Sequence, residues 1–224
     1  MSEVRCWAVR LDVAPPPEAF YATLSDDERN RAARFRFERD RRRFVVARGA
    51  LRELLGRHLD TRASELRFVY NSFGKPALSP EFGDRLKFNL SHSAELALIA
   101  VARDREVGVD VEYLRPDEPR TFFEDWTKQE AYVKARGEGL SDGPVVFAEG
   151  WSLHTFEPAP GYIGALAYTT ISHANVRTAA CCLSPSELSS RSISTGECTN
   201  DRNGSRNNQR NAFSVLTTAR TGQR

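Results

Sequence analysis

Residues 108–140 read GVDVEYLRPDEPRTFFEDWTKQEAYVKARGEGL and change from a strand pattern to a helix pattern within one short stretch. In the strand part, a two-residue repeat places Asp110 and Glu112 on one face and Val109 and Val111 on the other. Two carboxylates side by side on a strand repel each other unless a positive charge lies between them. Mg²⁺ is a natural candidate, because it binds one or two carboxylates and completes its shell with phosphate and water. A solvent-facing strand with two unrelated acids would give the same pattern.

The helix part, FFEDWTKQEAYVKARGEG, is expected to end at its glycines, since glycine commonly follows the last helical residue. Trp126, Glu130 and Lys134 recur at four-residue intervals and therefore share one face. Glu130 could serve there as a metal ligand or a general base, and Lys134 could bind a phosphate or a leaving group. An ordinary surface ion pair has the same spacing and is the alternative.

The remainder of the chain alternates helix and strand patterns, which favours an α+β fold built from two similar halves. Ser25 followed by Glu28 is a capping-box pattern that predicts the start of a helix. A charged hairpin loop, Arg103–Glu106, is expected to join two strands. We predict an N-terminal half over residues 1–100 and a C-terminal half over residues 101–183, shortened between 112 and 126. Residues 184–224 are rich in Ser, Asn, Arg and Thr and are predicted to be a disordered tail.

Composition narrows the class of protein. The chain has 224 residues, of which 40% are hydrophobic and 28% charged, as in a globular protein. Its net charge of +2 is too small to indicate a nucleic-acid partner by itself. It has neither an apolar run of membrane-spanning length nor a signal-peptide pattern, so we expect a cytoplasmic protein without a membrane partner. The four cysteines lack metal-finger spacing, which disfavours a zinc site.

Three further segments carry groups suited to anions. The motif FNLSHS places Ser91 and His92 at the end of a predicted strand, and the FGKP turn presents Lys75 as a point charge for phosphate. Nine arginines lie between residues 29 and 48, and one of them could bind a phosphate with two parallel hydrogen bonds. A turn cap, a solvated helix face or a nucleic-acid patch would also explain these residues. A Ser-His hydrolase is the weaker interpretation, because Ser91 lacks the Gly-x-Ser-x-Gly pattern.

Taken together, these segments resemble the Sfp-type 4′-phosphopantetheinyl transferases. The resemblance covers roughly residues 1–170, and its motifs are, in order, RAARFRFERDRRRF, FGKPAL, FNLSHS, VGVDVEYLRP, WTKQEAYVKARGEGL and PGYIGALA. Their order is far more specific than any single motif. The resemblance implies two pseudo-symmetric α+β halves with coenzyme A in the cleft between them. It also implies transfer of the phosphopantetheine arm of coenzyme A to a carrier-protein serine, with release of adenosine 3′,5′-bisphosphate.

The resemblance assigns a metal site and a catalytic helix. Asp110 and Glu112 would hold Mg²⁺ against the pyrophosphate of coenzyme A. Glu130 would be the third ligand or the general base, and Lys134 would neutralise charge on the leaving phosphate.

The same resemblance assigns the nucleotide contacts. Lys75, Ser91 and His92, together with Arg43 from the arginine-rich helix, would bind the phosphates of coenzyme A. His92 in particular would bind the 3′-phosphate.

Two features depart from the family pattern. Members usually carry Lys-Glu where this chain has Gln129 and Glu130, so one cation is missing. The family also has a longer segment between the strand carboxylates and the tryptophan helix, which here is the thirteen residues Tyr113–Asp125. At roughly 3.3 Å per residue, these can span about 43 Å, which is enough to cross a small domain. We expect the cost to lie in packing and in the carrier-facing surface.

The leading hypothesis is therefore a Mg²⁺-dependent phosphopantetheinyl transferase that activates acyl or peptidyl carrier proteins of fatty acid, polyketide or nonribosomal peptide biosynthesis. We expect a monomer, because one chain supplies both halves of the cleft. We expect no nucleic-acid partner, because the body of the chain is near neutral and the arginines are not interleaved with exposed aromatics. The first alternative is a catalytically impaired relic that still binds coenzyme A or carrier protein. The second alternative is a nucleic-acid-binding protein that uses the arginine-rich helix.

Overall fold

The computed structural model describes residues 4–12, 17–139 and 145–170, and the backbone of residues 178–182. The predicted disordered tail, residues 184–224, lies outside the described residues. The fold mixes helices with mostly antiparallel sheets, as expected for an α+β protein. The described helices are α1 Pro17–Tyr21, α2 Asp26–Ala33, α3 Glu38–Leu59 and α4 Arg120–Arg136. The described strands are β1 Val4–Arg10, β2 Phe68–Tyr70, β3 Pro76–Leu78, β4 Leu86–Ser93, β5 Leu96–Arg103, β6 Val107–Tyr113, β7 Trp151–Phe156, β8 Tyr162–Thr169 and β9 Thr178–Cys182.

The helix α2 begins where the sequence predicts. The capping box of α2 is present, with the Ser25 backbone N–H donating to Glu28 Oε2 at 3.1 Å. Glu28 is also the buried acceptor of two guanidinium groups from α3, those of Arg48 and Arg52. A second set of α3 side chains is apolar and buried against the first sheet and includes Val45, Ala47, Leu51, Leu54 and Leu55.

The described strands form a four-stranded sheet in the order β4-β5-β1-β9, a three-stranded sheet in the order β6-β8-β7, and the small β2-β3 pair. The two larger sheets share one connection order. In each, a first strand (β1 or β6) is followed by a long helix (α3 or α4) and then by two adjacent strands, the second of which lies between the other two. The strand β9, which follows β8 in the chain, pairs in parallel with β1.

The predicted hairpin between β5 and β6 is wrong. The loop between Arg103 and Val107 is short, but β5 pairs with β1 and β4, whereas β6 pairs with β8 in the other sheet. The charged loop therefore carries the chain from one sheet to the next. Sequence alternation gave the strands, but it does not say which neighbour each strand pairs with.

Side chains join the two larger sheets where β4 runs beside β6. Asn89 Oδ1 accepts the backbone N–H of Val109 at 2.9 Å, and Ser93 Oγ accepts the backbone N–H of Tyr113 at 3.1 Å. These contacts use alternate residues of β4, which point toward the same side. We call this row of contacts the seam. It brings FNLSHS and VGVDVEYL, two motifs from different sheets, next to each other.

The helix α4 packs directly on β6 at Gly108. A Cβ atom at Gly108 would collide with the Ala131 carbonyl oxygen and would lie 2.8 Å from Ala135 Cα. The helix ends as predicted at Gly137, which has the left-handed φ of 72°. Only residues 114–119 separate β6 from α4, so the last part of the shortened stretch is itself helical. No helix in the described ranges has the length and apolar character needed to cross a bilayer.

Candidate active site

Asp110 is the centre of a polar cluster beneath α4. Its side chain is almost fully buried, with the residue 3% exposed. Asp110 Oδ1 accepts hydrogen bonds from Ser91 Oγ at 2.8 Å and from Lys134 Nζ at 2.6 Å. Lys134 Nζ also lies 3.2 Å from Ser91 Oγ. The three motifs FNLSHS, VGVDVEYL and WTKQEAYVK therefore meet at one carboxylate oxygen.

The second carboxylate oxygen of Asp110 has no such hydrogen bonds with the described residues. Asp110 Oδ2 is buried and has no hydrogen-bond partner among the described residues. A buried carboxylate oxygen without a partner is costly, because it has lost its hydration. This oxygen is therefore a place where a cation or a hydrogen-bond donor would be stabilised.

Glu112 occupies the next position on the same face of β6. Its Oε2 accepts a hydrogen bond from Ser93 Oγ at 2.9 Å, and the same serine oxygen accepts the N–H of Tyr113. The predicted common face of Asp110 and Glu112 is confirmed, because both carboxylates bond serines of the neighbouring strand β4.

Glu130 approaches this cluster from α4. Its carboxylate lies 3.7 Å from Lys134 Nζ, the helical neighbour one turn away. Burial raises the pKa of Glu130, and the negative charges of Asp110 and Glu112 raise it further, whereas Lys134 lowers it. Three carboxylates thus act on one another across the space between α4 and β6.

Within the described ranges, no group of three or more His, Cys, Asp or Glu side chains is already arranged to hold a metal ion. The donor chemistry nevertheless fits a hard cation. Asp110 Oδ2 is an orphaned buried oxygen, and Glu130 is destabilised as an anion by burial and by the two carboxylates of β6. Oxygen donors of this kind are those that Mg²⁺ prefers.

A second cluster gathers cations around His92. The pKa of His92 is lowered by partial burial, and then by the nearby positive charges of Lys134, Arg43 and Arg31. Arg43 forms an ion pair with Glu95. The Glu95 carboxylate also accepts a hydrogen bond from Tyr162 Oη at 3.2 Å. A neutral imidazole among several cations is suited to an anionic ligand.

Lys75, in the FGKP turn, contacts the C-terminal end of α4. Its Nζ donates to the Ala135 carbonyl oxygen at 2.6 Å and lies 3.6 Å from a carboxylate oxygen of Glu106. Burial lowers the pKa of Lys75, and Glu106 opposes this effect. The FGKP turn therefore contacts the C-terminal end of α4, the helix that carries Glu130 and Lys134.

Comparisons with known proteins agree with this arrangement. Residues 16–104 match the family model described as 4′-phosphopantetheinyl transferase, N-terminal. The 4′-phosphopantetheinyl transferase HetI of Nostoc sp. is 36% identical over 209 residues, covering 74% of this chain and 87% of that protein. This chain belongs to the 4′-phosphopantetheinyl transferase family.

More distant members of the family also match the chain. The phosphopantetheinyl transferase of Thraustochytrium sp. is 27% identical over 181 residues, which cover 62% of this chain and 63% of that protein. The transferase Sfp of Bacillus subtilis is 24% identical over 148 residues, which cover 55% of this chain and 65% of that protein. The predicted family is therefore confirmed, and with it the class of enzyme, a transferase.

Several residues of this phosphopantetheinyl transferase were not singled out by the sequence. Glu95 and Tyr162 are 67 residues apart in the chain, so their contact leaves no local pattern. Asn71 bonds Gly137, which is 66 residues away in the chain, so this contact also leaves no local sequence pattern. Ser93 does follow a local pattern, because the strand period places it on the same side of β4 as Ser91.

Proposed function

We propose that the protein transfers the 4′-phosphopantetheine arm of coenzyme A to a serine of an acyl or peptidyl carrier protein, in a Mg²⁺-dependent reaction. The observation that carries the proposal is the cluster of Ser91, Asp110 and Lys134, in a chain that belongs to the transferase family. Its relatives HetI and Sfp are named 4′-phosphopantetheinyl transferases. Three motifs distant in sequence converge on one buried carboxylate, as a site for a charged substrate requires.

The reaction needs a base, a positively charged site and a leaving group. The carrier serine oxygen forms a bond to the phosphorus that bears the pantetheine arm, while the bond from that phosphorus to the bridging oxygen breaks. We assign Glu130 as the base that takes the serine proton, in keeping with its raised pKa. Lys134 stabilises negative charge on the departing adenosine 3′,5′-bisphosphate.

Asp110 and Glu112 are the residues that would hold the metal, and Glu130 would be the third ligand in the alternative in which it is not the base. When bound, Mg²⁺ supplies positive charge against the pyrophosphate, which lowers the energy of the charge that develops in the transition state. The orphaned Asp110 Oδ2 supports this assignment. Ser91 orients Asp110 by donating a hydrogen bond to Oδ1, and Ser93 orients Glu112 by donating to Oε2.

We further propose that Arg43, Lys75, Ser91 and His92 contact the nucleotide phosphates, with His92 on the 3′-phosphate. The cations around His92 support this part. Lys75 and Ser91 already have protein partners, so a phosphate would share or replace the Ala135 and Asp110 contacts described above.

The ligand cleft is proposed to lie between two pseudo-symmetric halves, an interpretation that the shared connection order of the two larger sheets supports. The halves are residues 1–100 and 101–183. The strand β5 crosses the first boundary, and the sheets change at residues 104–106. A monomeric cytoplasmic protein without a nucleic-acid partner, acting in a carrier-dependent biosynthesis, completes the proposal.

The full chain should be incubated with coenzyme A, Mg²⁺ and an apo carrier protein, and the carrier mass measured. We expect the mass to increase by one phosphopantetheine. Asp110→Ala should abolish the increase, whereas Asp104→Ala, at an exposed ion pair with Arg85, should not. Unchanged carrier mass with the wild-type chain would contradict active transfer, and coenzyme A binding without transfer would support the relic alternative.

A further inference from the structure

The turn between β2 and β3 is organised by one side chain. Asn71 Oδ1 accepts the backbone N–H groups of Phe73 and Lys75 at 3.0 and 2.9 Å. The backbone of Asn71 also bonds Lys75 and Gly74, at 3.1 and 3.0 Å. The turn, residues 71–75, is therefore held in one shape by its first residue.

The same asparagine reaches out of the turn. Its Nδ2 donates to the Gly137 carbonyl oxygen at 2.7 Å, and Lys75 Nζ donates to the Ala135 carbonyl oxygen at 2.6 Å. Carbonyl groups at the C-terminal end of a helix have no partner within the helix. The turn supplies donors to the Ala135 carbonyl, in the last turn of α4, and to the carbonyl of Gly137, the capping residue that follows the helix. We call residues 71–75 the α4 latch.

The position of α4 decides the geometry of the candidate active site. Lys134 immediately precedes Ala135, and its Nζ is 2.6 Å from Asp110 Oδ1. Gly108 fixes how closely α4 approaches β6 near Ala131 and Ala135. That contact sets the height of the helix over the sheet. The donors of the latch act at the helix end, where they oppose movement of the helix along its axis.

We propose that Asn71 is a positioning residue, which holds the end of α4 so that Lys134 and Glu130 face Asp110. This inference rests on the proposed function for its catalytic consequence. The asparagine has two separable tasks, because its Oδ1 shapes the turn while its Nδ2 holds the helix. A shift of α4 by about 1 Å would be enough to reduce the rate about a hundredfold.

Asn71→Asp separates the two tasks. The substitution keeps an oxygen for the Phe73 and Lys75 N–H groups and replaces the donor to Gly137 with an acceptor that repels the carbonyl. We expect kcat to fall between about tenfold and a hundredfold, with KM for coenzyme A and for carrier within about twofold of wild type. Ser72→Ala, an exposed change in the same turn, is the matched control and should behave as wild type.

Hydrogen exchange of the full chain gives a readout that does not depend on activity. In Asn71→Asp, the amides of residues 131–138 should exchange faster than in wild type, whereas those of α3 should be unchanged. Wild-type kcat together with wild-type exchange would overturn the proposal. A rise in KM for coenzyme A alone, with unchanged exchange in α4, would also overturn it, because Asn71 would then act through the phosphate contact of Lys75 and not through the helix. If the wild-type chain transfers nothing, the proposed function fails, whereas the exchange comparison still decides whether Asn71 holds the helix.

Discussion

Asp110 has two oxygens in opposite situations. One oxygen accepts hydrogen bonds from Ser91 and Lys134, and the other is buried without a partner among the described residues. Taking a carboxylate and an ammonium group out of water costs several kcal/mol per ion, and their attraction offsets this only with good geometry and further hydrogen bonds. An arrangement that leaves one oxygen unpaired is poor for stability alone. It is suited to a ligand that brings positive charge.

Glu130 gives a test at the residue scale. Its raised pKa means that the ionised carboxylate is destabilised in the folded protein. A raised folded-state pKa adds stability below the unfolded pKa, and this stability is lost as pH rises through the folded value. Glu130→Gln, which resembles the protonated form, should therefore unfold at neutral pH no more easily than wild type. Its transfer rate should fall by roughly 10²- to 10⁴-fold if Glu130 is the base.

Thermal unfolding and transfer rates measured across pH check this prediction. The wild-type rate should decrease as pH falls through the raised pKa of Glu130. Glu124→Gln, at a partly exposed α4 position paired with Arg120, is the control for stability and rate. A Glu130→Gln variant that keeps wild-type rates would remove the residue from the role of base.

His92 gives a second test at this scale. Its pKa is lowered by burial and by neighbouring cations, so the imidazole is largely neutral at neutral pH. A bound phosphate favours protonation of His92, so affinity should rise as pH falls through the lowered pKa. Calorimetry with adenosine 3′,5′-bisphosphate from about pH 8 to about pH 5 should show this rise in wild type.

His92→Gln should flatten the pH dependence of binding. The matched control is His154→Gln on β7, since the pKa of His154 is also lowered by burial and its ring bonds Tyr168. This control should retain the wild-type dependence. An identical pH dependence in His92→Gln and wild type would exclude His92 from the phosphate site.

At the scale of elements, the close packing of α4 on β6 depends on Gly108, which has no side chain. Gly108 lets the helix backbone lie against β6, with the Ala135 Cα atom 2.8 Å from where a Cβ would be. Gly108→Ala should therefore push α4 away from the strand. Inserting atoms into a packed contact commonly costs about 1–3 kcal/mol, and contact with backbone places this case near the upper value.

Urea unfolding should show this loss of stability, and the transfer rate should fall with it, because Lys134 would move away from Asp110. Gly139→Ala is the control, since among the described residues its added Cβ would meet only ring atoms of the exposed Phe73, at 3.0 and 3.2 Å. That ring can rotate away. If Gly108→Ala unfolds at the wild-type urea concentration, the close contact between α4 and β6 is not required.

At the scale of the whole molecule, the seam couples the two larger sheets. Asn89 satisfies the buried N–H of Val109, which belongs to the other sheet. Asn89→Ala leaves that N–H without its acceptor, which should destabilise the protein by about 1–3 kcal/mol. Urea unfolding measures the change. Lys87→Gln, on the same strand but in a more exposed ion pair, should cost less, and equal costs would show that the seam contact is not special.

Much of the site was predictable because its residues lie in short motifs. Strand alternation placed Asp110 and Glu112 on one face, helix spacing placed Glu130 and Lys134 on one face, and both patterns are local. The boundary glycine Gly137 and the capping box of α2 were equally readable. The hairpin prediction for β5 and β6 failed, since pairing depends on which apolar faces meet and not on the length of the connecting loop.

The sequence alone determined the elements, the family and the residues that carry charge, because periodicity and motif order are properties of neighbouring positions. Only the tertiary structure decided that one Asp110 oxygen accepts two hydrogen bonds while the other has no partner among the described residues. It likewise decided that Glu95 pairs with Arg43 and accepts a hydrogen bond from Tyr162, and that Asn71 bonds the residue that follows α4. Each of these contacts joins segments that are distant in the chain. Their geometry follows from how the sheets and helices pack, which the sequence specifies collectively and which no short stretch reveals.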